Sequence, residues 1–404
     1  MALFKYTEKK FATDVGRVAE SIDPSLEYTY LPETREVKLT SADDDSGGPF
    51  TFFLGNIFLK VSELPRKERL PTIEAFLREV VKPKELTPDE LMESLALRVR
   101  TDFEIDFRNG HVELMGHETP TSISMRRGEL LVEVVSDSDE SVSIAQSDNL
   151  AEIGVSEDEA VRMATAKIRR STGDDQWEKI HDSIWISRYQ DDYDFARLVA
   201  AEDFGEFPFK GNPIVFAPSH SICLATDSTD TDVLLKMTEI GNESAASHRP
   251  FCQLLWTLED GSDWKEWRPD EASESWSVAQ LQAMRETVSK YEEMKDYLER
   301  SLVEDVFVAT FQAMQDDDGL TCYSVYTLDL PSYLPRTDFV AIVDPGLPKD
   351  ETVIGRVDWD EFEKSLGIGT IEQVEDLNPQ WYRILQKLDS GQKERLRKMA
   401  RPFN

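Results

Sequence analysis

The side chains best suited to metal ligation or proton transfer near neutral pH are the five histidines, His111, His117, His181, His220 and His248. None belongs to a His-x-x-x-His pair, and no cysteine or second histidine stands at metal-ligand spacing. His111 and His117, six residues apart, read as turn residues rather than a metal pair. Ser219-His220-Ser221 sets two hydroxyls beside an imidazole, the material of a nucleophile and its base. Adjacent residues on a strand point to opposite faces, and no glycine-flanked elbow surrounds them, so the triplet reads as a structural turn. The acidic runs Asp43–Asp45 and Asp316–Asp318 lack the spaced oxygens and closing glutamate of a calcium loop. Asp316-Asp317-Asp318-Gly319 reads instead as hairpin turn chemistry. Gly47-Gly48 is followed by no Gly-Lys-Ser/Thr and is not a phosphate loop. Cys223, Cys252 and Cys322 are far apart, odd in number and set among apolar residues, as reduced core thiols would be. Trp264, Trp267 and Trp276 could form a partner platform, or pack an irregular segment onto the body. The sequence therefore assigns no catalytic, cofactor-binding or metal-ligating residue.

The elements around these residues are clearer. Leu130, Leu131, Val132, Val134 and Val135 form an apolar, β-branched run, the composition of a central buried strand. Asp137-Ser138-Asp139-Glu140 turns the chain, and Val142, Ile144 and Gln146 alternate with Ser143 and Ala145 as the strand returns. Ser156 with Glu159 three residues later predicts a capped helix over 155–170, packed over the sheet through Ala160, Met163, Ala164 and Ile168. Elsewhere the pattern predicts a helix over 7–22, a hairpin over 26–39 and a helix over 71–81. Thr87-Pro88-Asp89-Glu90 predicts a capped helix running to Arg100. Phe103–Phe107, Asn109-Gly110 and His111–Met115 predict a second hairpin with a tight turn. Phe195–Ala200 reads as extended, Gln280–Leu302 as a long helix, 303–328 as a hairpin, and Trp381–Met399 as a closing helix.

Four stretches also resemble, in order, segments of the YtpQ-like family of bacterial proteins of unknown function. They are Phe53-Leu54-Gly55-Asn56-Ile57-Phe58, the run from Asn149 to Arg170, Asn212–His220, and Tyr323–Tyr326 followed by Leu334–Asp338. Ser219-His220 stands where that family has Asn-Arg. The resemblance implies no activity.

A formal net charge of −34 disfavours nucleic acid and anionic membranes as partners and permits a basic one, or mimicry of a polyanion. Eight tryptophans, twenty phenylalanines and 40% apolar residues are those of a folded chain. The N-terminal stretch lacks a signal-peptide core, and no run reaches 18 apolar residues, which with the thiols points to the cytoplasm. Lys393, Arg395, Arg397, Lys398 and Arg401 make a basic end, readable as a docked amphipathic helix or a self-association helix. The expectation is an α+β protein of several helix–hairpin modules, mainly antiparallel sheets covered by helices. The modules are 1–83 (α+β), 84–205 (hairpin and helix) and 206–404 (α+β with a helical tail). Function is expected to be protein binding or regulation without catalysis, the alternatives being a hydrolase-like enzyme built from dispersed carboxylates and an acidic polyanion mimic.

Overall fold

The computed structural model describes residues 6–402 apart from 33–35, 42–49, 54–56, 59–60, 63, 82–85, 115–118, 138–141, 173–176, 182, 190, 201–211, 246–249, 260–262, 302–305, 317–318, 368 and 376. The chain is an α+β protein with mainly antiparallel sheets. It divides into two compact units: Met1–Arg98 with Thr121–Ile123 and Glu133–Ile168, and Val99–Pro120 with Ser124–Val132 and Arg169–Asn404. Among the described residues no helix is long and apolar enough to cross a membrane.

In the first unit, α1 (Glu8–Ile22) starts where the Thr7 hydroxyl accepts from the Lys10 amide at 3.3 Å. Its residues Phe11, Val15, Val18, Ala19 and Ile22 recur at helical spacing and are all buried. The antiparallel strands β1 (Leu26–Leu31), β2 (Glu36–Ser41) and β3 (Phe50–Phe53) follow, then α2 (Arg66–Val81), which packs on α1. Val37, Leu39, Ile73 and Leu77 close that core.

The helix α3 (Pro88–Ser94) carries the full capping box: the Glu90 amide donates to Thr87 Oγ1 at 3.3 Å, and the Thr87 amide to Glu90 Oε2 at 2.9 Å. It stops at Ser94 instead of running to Arg100, because Leu95-Ala96-Leu97-Arg98-Val99 is buried on both faces and enters a sheet as β4 (Leu95–Arg100). The expected hairpin over 103–115 is α4 (Asp102–Leu114). The reason is a reciprocal cap in Thr101-x-x-Glu104: the Glu104 amide donates to Thr101 Oγ1 at 3.3 Å, and the Thr101 amide to Glu104 Oε2 at 3.0 Å. Asn109-Gly110 is carried inside that helix.

The strands β5 (Ser124–Arg127), β6 (Leu130–Asp137) and β7 (Val142–Ile144) build the central hairpin region. β6 lies between β4 and β5, and β7 returns antiparallel with Val135 opposite Ile144. After α5 (Ser147–Glu152), α6 (Glu157–Ser171) buries Ala160, Ala164 and Ile168 and leaves Met163 half-buried. Lys167 Nζ donates to the Glu93 carbonyl at the end of α3, at 2.8 Å. The Glu159 amide donates to Ser156 Oγ at 3.3 Å, the predicted cap. Ser156→Ala should therefore cost only about 1 kcal/mol, readable as a small shift in the urea midpoint at unchanged slope.

In the second unit, β8 (Trp177–His181), β9 (Ile184–Ser187), α7 (Asp194–Ala200), β10 (Ile214–Ser219), β11 (Ile222–Thr226), α8 (Thr231–Ala245), β12 (Leu255–Glu259) and β13 (Asp263–Glu266) form an antiparallel sheet of order β13-β12-β10-β11-β9-β8 with two helices. The segment Phe195–Ala200, expected to be extended, is the helix α7, and every residue of it is buried. A short run whose one polar residue is Arg197 has too little periodicity to separate buried helix from buried strand. α8 sets Leu234 and Met237 against Phe216 and Leu224.

The long α9 (Trp276–Ser301) leads to β14 (Phe307–Val308), β15 (Gln312–Asp316), β16 (Gly319–Thr327), β17 (Ser332–Pro335), β18 (Phe339–Val343), β19 (Val353–Asp358), α10 (Trp359–Leu366), β20 (Glu372–Val374), β21 (Trp381–Ile384) and α11 (Ser390–Met399). Two four-stranded sheets result, β14-β17-β21-β20 and β15-β16-β18-β19, with parallel pairing at β14/β17 and β16/β18. The closing helix expected over 381–399 is split: Trp381, Tyr382 and Ile384 enter a sheet, and α11 starts only at the Asp389–Gln392 capping box. Most of the basic end is engaged by the body, while Lys398 pairs with Glu394 inside α11. Arg397 pairs with Asp344, Lys393 with Asp329, and Arg401 with Asp358 and Glu361.

Candidate functional site

The residues whose types suggested chemistry do not converge. His111 lies in α4, His181 ends β8 in an exposed position, and His117, His248, Gly47-Gly48 and Asp43–Asp45 fall outside the described residues. Asp316 ends β15. Trp264 is only 1% exposed and meets Phe195 edge-on, its ring centre 5.5 Å away. Trp267 and Trp276 are half-buried, so the tryptophans pack the body and form no open platform. All three cysteines are buried and free of disulfides. Burial pushes the Cys322 thiol up to about 12, and the Cys223 and Cys252 thiols well above their ordinary value, which disarms them as nucleophiles.

Ser219-His220-Ser221 is buried at the β10–β11 turn, with His220 4% exposed. His220 packs on Phe251, ring centres 4.7 Å apart, and its Nε2 lies 3.8 Å from Glu104 Oε1. Glu104 is already the capping carboxylate of α4 and pairs with Arg100 at 3.2 Å. Nearby, Glu286 of α9 accepts from the Gln253 amide at 2.7 Å and pairs with Lys290 at 3.2 Å. Glu104 is engaged in capping α4 and pairing with Arg100 of β4, and Glu286 in holding the segment before β12 to α9.

A groove of about 490 Å³ opens beside α9. Leu281, Met284, Arg285, Val288, Ser289 and Glu292 line one wall, and Ala313, Met314 and Gln315 of β15, with Leu320 of β16, line the other. The helical wall is a single stripe at spacings of three and four, spanning roughly 16 Å for eleven residues. That matches the length of about five extended residues, and β15 has five. Met284 and Val288 are also packed on the core formed by Phe103, Tyr291 and Phe311, which fixes their positions. The helix itself is pinned: Tyr291 Oη donates to the Gln380 carbonyl at 3.0 Å, and Lys295 to Thr310 Oγ1 at 2.7 Å.

The strand wall is an edge. β15 pairs with β16 through an unbroken register and, among the described residues, with no strand on its other side. The direction of its peptide groups follows from Cys322, which faces Ala313 across the pair. The Cys322 carbonyl accepts from the Asp338 amide at 3.1 Å, and its amide donates to Asp338 Oδ2 at 2.8 Å. Both groups of Cys322 therefore turn away from β15, so Ala313, and by alternation Gln315, direct their N–H and C=O into the open. Other edges are treated differently. At β19, Arg356 exchanges both backbone hydrogen bonds with Arg401, at 2.8 and 2.9 Å. At β13, Gly128 and Glu129 lie along Trp264. β15 reads Gln-Ala-Met-Gln-Asp, with no lysine, proline or bulge of the kind that blunts an edge.

No protein-family model, curated protein or solved structure matches this chain. Function must then be argued from the groove. The sequence carried half of the signal for it, Leu281, Met284 and Val288 at helical spacing along α9. The other half, an open strand edge alongside, depends on strand order.

Proposed function

We propose that this is a protein-binding module that takes an extended segment of a partner as an added strand on β15, with alternate side chains in the groove against α9. The observation that carries the reading is the outward-facing peptide groups of Ala313 and Gln315 beside the apolar stripe Leu281–Met284–Val288. Strand addition works this way: main-chain hydrogen bonds supply affinity, and pockets for every second side chain supply selectivity. The occupant is a partner rather than a second copy, because two chains of charge −34 repel each other. A cytosolic setting suits three buried reduced thiols, and membership of the YtpQ-like family rests on the order of the four motifs.

The test uses a displayed library of random seven-residue peptides selected on the whole protein, with selected peptides re-measured on Ala313→Pro. Proline at an outward-facing edge position removes one N–H donor and spares the β15–β16 ladder. Selected peptides should bind the variant at least tenfold more weakly, and the Ala313 and Gln315 amides should gain hydrogen-exchange protection in the wild-type complex. A library without binders, or binders indifferent to Ala313→Pro, would overturn the reading.

A further inference from the structure

We infer that the groove selects its segment by a charge order: an acidic side chain, an apolar one and a basic one at alternate positions of the added strand. The inference rests on the strand-addition reading and names the class of peptide that reading leaves open. Arg285 and Glu292 are both exposed, both line the groove, and neither is in an ion pair among the described residues. Many other charges near the chain's helices are paired, as with Lys290–Glu286 and Lys295–Glu299 on α9 itself. Seven helical residues separate Arg285 from Glu292, about 10.5 Å along the axis. Between them on the same stripe sits Val288, with Met284 beside Arg285. Side chains on one face of a strand recur about every 6.8 Å, so three successive ones span about 13.6 Å. The long Arg285 and Glu292 side chains take up the difference of roughly 3 Å. An apolar residue over Val288 is thus flanked by a carboxylate that meets Arg285 and an ammonium or guanidinium that meets Glu292. Each such exposed pair should be worth about a threefold to fivefold change in affinity, fading as salt approaches about 0.3 M.

Three fluorescent peptides on a threonine background separate the possibilities by anisotropy. They are Thr-Glu-Thr-Val-Thr-Lys-Thr, its form with lysine for glutamate, and its form with glutamine at both charged positions. Wild-type protein should prefer the glutamate–valine–lysine peptide over both others by about threefold or more at low salt. Arg285→Glu should invert the ranking, placing the lysine–valine–lysine peptide first whichever way the strand runs. Equal binding of the charged and neutral peptides, or an Arg285→Glu protein with the wild-type ranking, defeats the charge order. It leaves strand addition standing if Ala313→Pro still weakens all three. Failure of Ala313→Pro to weaken any peptide defeats strand addition itself. A wild-type dimer that Ala313→Pro dissociates would show the occupant to be a second copy and would overturn both.

Discussion

Val132→Asp is expected to cost at least 3–5 kcal/mol, the usual scale for an unpaired buried charge, and to lower the melting temperature by about 10 °C or more. Val132 is wholly buried on β6, which has β4 on one side and β5 on the other. Two residues on, the Val134 amide donates to the Ile123 carbonyl at 2.8 Å, while its carbonyl accepts from the Ala145 amide at 3.2 Å. Both of those bonds lie on the β5–β7 edge and β4 holds the other, so the backbone of β6 cannot swing a new carboxylate to water. The side chain must either ionise without a partner or stay protonated with its folded-state pKa raised. A raised folded pKa makes the loss grow as pH rises above the unfolded value near 3.9, and shrink below it, where both states hold the proton. Val142→Asp is the matched control. Val142 sits on β7 and is 39% exposed, so its variant should melt within a degree or two of the parent. Equal melting of the two variants would mean that β6 is not central.

That strand was legible because its evidence is local. Five apolar residues within six positions, a polar turn and an alternating return specify a hairpin without reference to the rest of the chain. The caps at Ser156 and Thr87 were legible for the same reason, since each needs only four residues. The misreadings came where two local signals competed. Thr101-x-x-Glu104 is a capping box, and Asn109-Gly110 eight residues later is a hairpin turn. The cap prevailed because α4 also buries Phe103 in the core with Tyr291 and Met294 of α9, and Tyr297 Oη donates to the Gly110 carbonyl at 3.3 Å. A hairpin would forfeit both. Trp381–Met399 failed differently. Its apolar spacing suited a helix, but Trp381 pairs with Pro335 and Tyr382 with Leu334, partners nearly fifty residues away.

The groove shows the same limit at the level of function. Histidines, serines and acidic runs are visible as residue types, and the fold spends several of them on packing and caps. His220 is buried against Phe251, and Glu104 closes a helix. The open edge beside the groove is made of backbone. Ala313 and Gln315 are ordinary residues in sequence, and they matter because Cys322 bonds toward β18 and leaves their peptide groups facing outward. Composition cannot report the direction of a peptide group.

The last expected result tests an edge that the fold closes. Gly128→Ala should cost about 3 kcal/mol or more, whereas Gly154→Ala should cost only about 1–2 kcal/mol. Both glycines adopt left-handed backbone, at φ +65° and +79°. An added Cβ suffers the same conformational penalty at each. The surroundings differ. At Gly154 nothing lies within 4 Å of the new methyl group, while at Gly128 it would sit 2.1 Å from the Trp264 carbonyl oxygen and 2.7 Å from its nitrogen. Those are backbone atoms of a strand, and they cannot rotate away. Relief requires lifting the Gly128–Glu129 segment off β13. That breaks the 2.7 Å bond from the Glu129 amide to the Trp264 carbonyl and the 2.9 Å bond from the Glu266 amide to Glu129 Oε2. Two hydrogen bonds at about 1 kcal/mol each, added to the left-handed penalty, give the predicted loss. Urea unfolding of the two variants measures the difference, and hydrogen exchange should show the Glu129 and Glu266 amides losing protection in Gly128→Ala alone. Similar costs at the two positions, with Glu266 still protected, would mean that β13 is not closed by this contact.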